Sequence, residues 1–143
     1  MRRKNRRLTL DLIKKEGSAM KKSIIPEKGA KPIGPYSPGI QAENMLFVSG
    51  QTGNDPATGK TADDVETQTE QTLINLGSIL KAAGFDYSHV VKTLVFLTDM
   101  DDFVKVNDVY KKFFSEPYPA RSCVQVSKLP GGPKIEIECI AVR

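Results

Sequence analysis

Pro119-Ala120-Arg121-Ser122-Cys123-Val124-Gln125-Val126, answered by Lys134-Ile135-Glu136-Ile137-Glu138-Cys139-Ile140-Ala141-Val142, are the two stretches on which the reading of this chain turns. Both are rich in β-branched residues and bounded by Pro and Gly, the composition of strands. Side chains alternate across a strand, so Arg121 and Cys123 share one face of the first, while Val124 and Val126 point the other way. In the second strand Ile135, Ile137, Cys139 and Ala141 form one face, and Glu136 and Glu138 share the other with Ile140 and Val142. The link Ser127–Pro133 is short and turn-rich, which allows the two strands to pair or lie close.

Working outward, Val90–Thr98 is the clearest strand. Strict alternation puts Val91, Val95 and Leu97 on one face and Val90, Leu94 and Phe96 on the other. Before it, Asp63 or Asp64 caps a helix that runs to Ala83 and stops at Gly84. Val65, Thr69, Thr72, Leu73, Leu76, Ile79, Leu80 and Ala83 form its apolar stripe. After the strand, Asp99-Met100-Asp101-Asp102 caps a second helix with a stripe of Phe103, Val106, Val109, Tyr110 and Phe113. Towards the N-terminus, Lys21–Ile25 reads as a short strand, and Ile40–Ala42 with Met45–Ser49 as a hairpin around Glu43-Asn44. The expected fold is α+β, a mixed β-sheet with two helices packed on one face. Strands apolar on both sides leave a second sheet face that two helices do not cover, which predicts a homo-oligomer.

The 143 residues fit one domain with a real core. The net charge of +4 is misleading. Residues 1–19 hold seven of the cations and two of the anions, so residues 20–143 carry −1. That balance argues against general nucleic-acid affinity, which needs clustered Lys and Arg. The basic leader lacks the apolar segment of a secretory signal and is expected to lie outside the domain, which is placed at 20–143. Translation from Met20 is the expectation, testable in the nucleotide sequence around Lys15-Glu16-Gly17. No apolar run reaches the length of a membrane span. Cys123 and Cys139 lack metal-ligand spacing and His89 is alone, so no metal is expected, and reduced thiols fit a cytoplasmic protein. His89 reads as a surface or hydrogen-bonded residue rather than a catalyst.

Arg121 and Glu136 are the candidate chemistry. Charges in such strands need each other, a partner subunit or a ligand, and the residues alone leave a structural ion pair and a ligand site equally open. Tyr36, on the stiff loop Gly34-Pro35-Tyr36-Ser37-Pro38-Gly39, is a further candidate, and Gly50 ends an apolar strand where a ligand can approach backbone.

Taken together, Gly34-Pro35-Tyr36-Ser37, Ser49-Gly50-Gln51, Val106-Asn107-Asp108-Val109-Tyr110, Pro119–Val124, Leu129-Pro130 and Ile135–Glu138 resemble the motif set of the RidA/YjgF family, in order and spacing, across Met20 to Arg143. The resemblance implies a chorismate-mutase-like fold assembled as a homotrimer, with sites between subunits. It also implies hydrolysis of reactive enamines and imines, such as 2-aminoacrylate, 2-iminopropanoate and 2-iminobutanoate, to 2-keto acids and ammonia without a cofactor. By the same resemblance Arg121 binds the substrate carboxylate, Glu136 orients water and shuttles a proton, and Tyr36, Gly50, Asn107 and Cys123 line the cleft. Cys123 has no histidine nearby in sequence and reads as lining rather than nucleophile. Pro38, Gly53-Asn54 and the loop Ser127–Pro133 depart from the family pattern and bear on substrate preference. A non-catalytic sensor of carboxylate metabolites is the alternative function.

Overall fold

In a computed structural model, residues 20–143 are described; the basic leader 1–19 lies outside them. Eight principal elements follow in order: β1 (Lys22–Ile24), β2 (Gly39–Ala42), β3 (Met45–Thr52), α1 (Val65–Ala82), β4 (Val90–Leu97), α2 (Phe103–Tyr110), β5 (Ala120–Gln125) and β6 (Ile135–Val142). The strands form one mixed sheet ordered β1-β2-β3-β6-β4-β5, in which only β4 and β5 run parallel.

The helices start where the sequence places their caps. Asp64, in extended backbone, accepts from the Thr67 N–H at 2.8 Å and opens α1. At the other end Gly84 takes a positive φ of 76°, the left-handed conformation that terminates a helix. α1 presents the fully buried Leu73, Leu76, Ile79 and Leu80 to the sheet. Each such side chain contributes about 1.5–3 kcal/mol by leaving water. α2 is preceded by a short 3-10 turn at Met100–Asp102, capped by Asp99. It buries Val106, Val109 and Tyr110, with Phe114 completing the apolar edge beyond it.

Two polar residues inside α1 tie the layers together. Gln68 is buried; its Nε2 donates to the Ala62 carbonyl at 2.7 Å and its Oε1 accepts from the Lys134 N–H at 2.8 Å. This bond fixes the residue just before β6. Asn75 Nδ2 donates to the Thr52 and Asn54 carbonyls, at 2.9 and 2.8 Å, and holds the end of β3 against the helix.

The sheet's register settles what faces what. Val48, Cys139, Thr93 and Arg121 form one cross-strand row, and the Thr93 side chain bonds Tyr110 of α2, so this row belongs to the helix face. Ile137, Val95 and Cys123 make the next row on that face. On the opposite face, Phe47, Ile140 and Lys92 are aligned, then Glu138, Leu94 and Ser122, then Thr52, Glu136, Phe96 and Val124. Phe47, Val91 and Val124 there are 40%, 48% and 41% exposed.

The structure bears out two helices on one face of a mixed sheet. Of the two arrangements open to β5 and β6, pairing or lying close, they lie close, with β4 between them. One detail differs from the sequence reading. Within β4 a register shift between Val90 and Lys92 inserts one extra residue. Val90 therefore joins Thr93, Val95 and Leu97 in the core while Val91 points outward, the reverse of what uninterrupted alternation predicts.

Candidate active site

The sequence-predicted site residues fall into two groups on opposite sides of the sheet. Arg121 leaves β5 on the helix face, where its guanidinium carbon lies 4.8 Å from the Tyr110 ring centroid and 5.5 Å from that of Phe103. Arg121, Asn107, Tyr110, Lys111, Tyr118 and Pro119 line a cleft of about 350 Å³. Among the described residues no carboxylate is within ion-pair reach of Arg121. Asn107 Oδ1 is buried without a hydrogen-bond partner. A buried acceptor left unpaired costs about 1–3 kcal/mol, and a ligand or partner donor would relieve it.

Glu136 leaves β6 on the face away from the helices, between the fully buried Ile135 and Ile137, whose side chains point the other way. It lines a cleft of about 490 Å³ with Ile33, Tyr36, Ser49, Gly50 and Pro130. β3 shifts register between Val48 and Gln51, which brings Gly50 against the carboxylate. A Cβ on Gly50 would lie 2.6 Å from Glu136 Cδ, so this approach requires glycine. Burial pushes the Glu136 carboxyl above its ordinary value, and the neighbouring Glu138 adds to the rise. Ser49 is held by its Oγ donating to the Ser37 carbonyl at 2.6 Å, which joins the Tyr36 loop to β3. Tyr36 itself is half exposed, its hydroxyl accepting from the Ile33 N–H at 3.4 Å.

Arg121 and Glu136 are thus not an ion pair, and one protomer does not bring them into one cleft. Cys123 lies on the Arg121 face, packed beside the core, and lines neither cleft. Its thiol is pushed up by burial, an effect Arg121 partly opposes, so it is not an activated thiolate. His89 accepts the Asp86 N–H through Nδ1 at 3.0 Å within a capping box, far in role from a catalyst. Pro38 and Asn54, where the chain departs from the family pattern, line a small cavity of about 100 Å³ beside Tyr36 and Gly50. Pro130 is the member of the Ser127–Pro133 loop that reaches the Glu136 cleft. The sequence reading missed Phe103, Tyr110 and Tyr118 as neighbours of Arg121. The two α2 aromatics sit seven residues apart, a spacing indistinguishable from a core stripe, and Tyr118 has no local signal.

A mixed sheet backed by two helices, with an unpaired arginine and a half-buried glutamate in separate clefts, defines an α+β protein with a small-molecule site. The Endoribonuclease L-PSP family model matches residues 27–143. Reactive Intermediate Deaminase A, chloroplastic, of Arabidopsis thaliana is 53% identical over 126 residues, covering 87% of this chain and 67% of that protein. The 2-iminobutanoate/2-iminopropanoate deaminase of Salmonella typhimurium is 47% identical over 127 residues, covering 87% of this chain and 99% of its own. RidA from an Antarctic Psychrobacter species superposes with a TM-score of 0.83 at 40% identity, covering 85% of this chain and 99% of its own. The chain belongs to the RidA/YjgF family. These matches correct one expectation: the fold is the Rid/YjgF fold of such structures, not a chorismate-mutase-like one. The sheet with two helices on one face stands; the wider fold label does not.

Proposed function

We propose that this protein is a hydrolytic deaminase of reactive enamine and imine intermediates, releasing 2-keto acids and ammonia. The observation that carries the reading is the pair of incomplete half-sites: a cation without an anion on one sheet face, and a half-buried carboxyl on the other. The family supplies the reaction, since the Salmonella relative is a 2-iminobutanoate/2-iminopropanoate deaminase.

The proposed chemistry follows from the groups. Arg121 takes the substrate carboxylate through two parallel charge-assisted hydrogen bonds, which fixes the adjacent imine carbon. 2-Aminoacrylate takes a proton at C3 and gives one up at nitrogen, becoming its imine tautomer 2-iminopropanoate. Water, oriented by Glu136, adds its oxygen to C2; the proton it sheds reaches nitrogen through the Glu136 carboxyl. The new C2 hydroxyl then passes its proton to nitrogen through the same carboxyl as the C–N bond breaks and C=O forms, giving ammonia and pyruvate. Burial raises the Glu136 carboxyl above its ordinary value, with Glu138 adding to the rise, which suits a group that both accepts and returns a proton. Tyr36 and Gly50 shape the Glu136 half, and Asn107 the Arg121 half. Cys123, assigned to the cleft by family resemblance, acts at most through packing beside Arg121. Every step uses side chains of this chain and water.

The assembly in this reading is a homotrimer that brings the Arg121 face of one protomer to the Glu136 face of its neighbour. Supporting it are the exposed Phe47, Val91 and Val124, an apolar surface that a second copy would cover. Two free thiols fit a reducing cytoplasmic setting. Among the described residues no helix is long and apolar enough to cross a membrane.

The test generates 2-aminoacrylate in situ with a serine dehydratase and follows its loss and the appearance of pyruvate. Wild type accelerates both, and Arg121→Ala loses about 10²-fold or more in kcat/KM, the loss of two charged hydrogen bonds. No acceleration by wild type rejects the deaminase; tight 2-keto-acid binding without turnover replaces it with a carboxylate sensor.

A further inference from the structure

We infer that Phe103 and Tyr110 form an aromatic platform that positions Arg121, holding the guanidinium by its flat faces so that its N–H donors and its charge stay available to a ligand carboxylate. The proposal rests on Arg121 being the carboxylate anchor. Phe103 and Tyr110 are the first and last residues of α2, seven apart, so two helical turns place both rings on one side of the helix. Both rings lie within cation–π reach of the guanidinium.

The platform is itself fixed. The Tyr110 hydroxyl and Thr93 Oγ1 share a hydrogen bond at 2.8 Å, and Thr93 is the register partner of Arg121 on the adjoining strand. Ring and arginine are therefore referenced to the same row of the sheet. Phe114 packs against Tyr110, with ring centroids 4.5 Å apart, and restricts the ring further.

An arginine can be immobilised in two ways. A protein carboxylate would hold it but would occupy its donor edge and cancel its charge, so a substrate carboxylate would have to compete. An aromatic face holds it without using a single N–H. The described residues show the second arrangement and no acidic partner. Phe103 and Tyr110 also belong to the apolar stripe of α2, so the test must separate positioning from packing.

Pyruvate and its uncharged analogue pyruvamide are titrated calorimetrically into wild type, Phe103→Leu, Tyr110→Leu and Tyr110→Phe, alongside steady-state deamination and thermal melting. Phe103→Leu and Tyr110→Leu are expected to weaken pyruvate binding about 3- to 10-fold each, the worth of one cation–π contact. KM rises in step, while kcat and pyruvamide affinity move less than about two-fold, a split that a loss of packing alone would not produce. Tyr110→Phe retains the ring and recovers most of the lost affinity. Wild-type pyruvate affinity in folded Phe103→Leu overturns the platform, and this variant decides the matter if Tyr110→Leu does not fold. A Tyr110→Phe defect as large as that of Tyr110→Leu also overturns it, by assigning the effect to the hydroxyl. Arg121→Ala with wild-type pyruvate affinity is a different failure: it removes the anchor, and the platform with it.

Discussion

Two inactive variants of this protein should restore activity to each other. Arg121 shares a row with Thr93 on the helix face, and Glu136 shares one with Phe96 on the opposite face. A cleft that uses both must draw Arg121 from one protomer and Glu136 from another. Arg121→Ala and Glu136→Gln, each assembled alone, have one broken half in every cleft and are expected to lose about 10²-fold or more. When equal amounts of the two are co-assembled at random, half the Arg121 donors and half the Glu136 donors are intact. About one quarter of the clefts then carry both; once trimers of a single variant are removed, each mixed trimer keeps one intact cleft in three, so its specific activity returns to about a third of wild type with unchanged KM. The two chains, differently tagged, are co-expressed, purified through both tags and assayed for pyruvate release from 2-aminoacrylate. Mixed assemblies that stay as inactive as the parents would refute the composite cleft. They would mean that Arg121 and Glu136 serve in separate places or within one protomer.

Further outcomes test single contacts. Gly50→Ala places a Cβ against the Glu136 carboxylate, which must retreat by roughly 1 Å, a displacement worth about 10²-fold in rate; kcat/KM should fall by that factor with the melting temperature little changed. Gly77→Ala is the contrast, because its Cβ would lie 2.7 Å from Tyr87 Cζ and displace the hydroxyl that donates to the Leu73 carbonyl. It should cost about 1–3 kcal/mol of stability by denaturant titration and leave the activity of the folded protein intact. Glu136→Gln should raise the melting temperature at about pH 7.5, with the gain vanishing towards about pH 4. The fold holds the Glu136 carboxyl above its ordinary value, so its contribution to stability is present below the unfolded-state pKa and is lost as pH rises through the folded one. Cys123→Ser should keep kcat/KM within about three-fold, since burial holds the thiol protonated and it is not the nucleophile.

Much of the architecture was legible because it is written locally. Asp64 and Gly84 bracket α1, and the stripe from Val65 to Ala83 fixes its buried side. Arg121 and Cys123 share a face, as alternation requires. What was not legible depends on distant partners. The position of β4 between β5 and β6 is a property of pairing, and neither strand's composition encodes it. A single inserted residue at Val91 exchanged the faces of the first part of β4, since a period of two has no tolerance for one extra residue. The split between Arg121 and Glu136 was half visible. Each residue's own face followed from alternation, but their relation to each other needed the register through Thr93, Cys139 and Phe96. Phe103 and Tyr110 were read as core, which they partly are; their second contact, with Arg121, has no trace in helical periodicity.

The opposite-face placement of Arg121 and Glu136 also constrains how such a protein can change. In the proposed trimer each residue that shapes the cleft belongs to a surface by which one chain holds the next. A substitution that retunes substrate choice at Tyr36, Pro130 or Tyr118 is at the same moment a substitution in the contact between neighbours. Substrate range and assembly strength then cannot drift independently, and dilution alone, without touching a catalytic group, would switch the chemistry off.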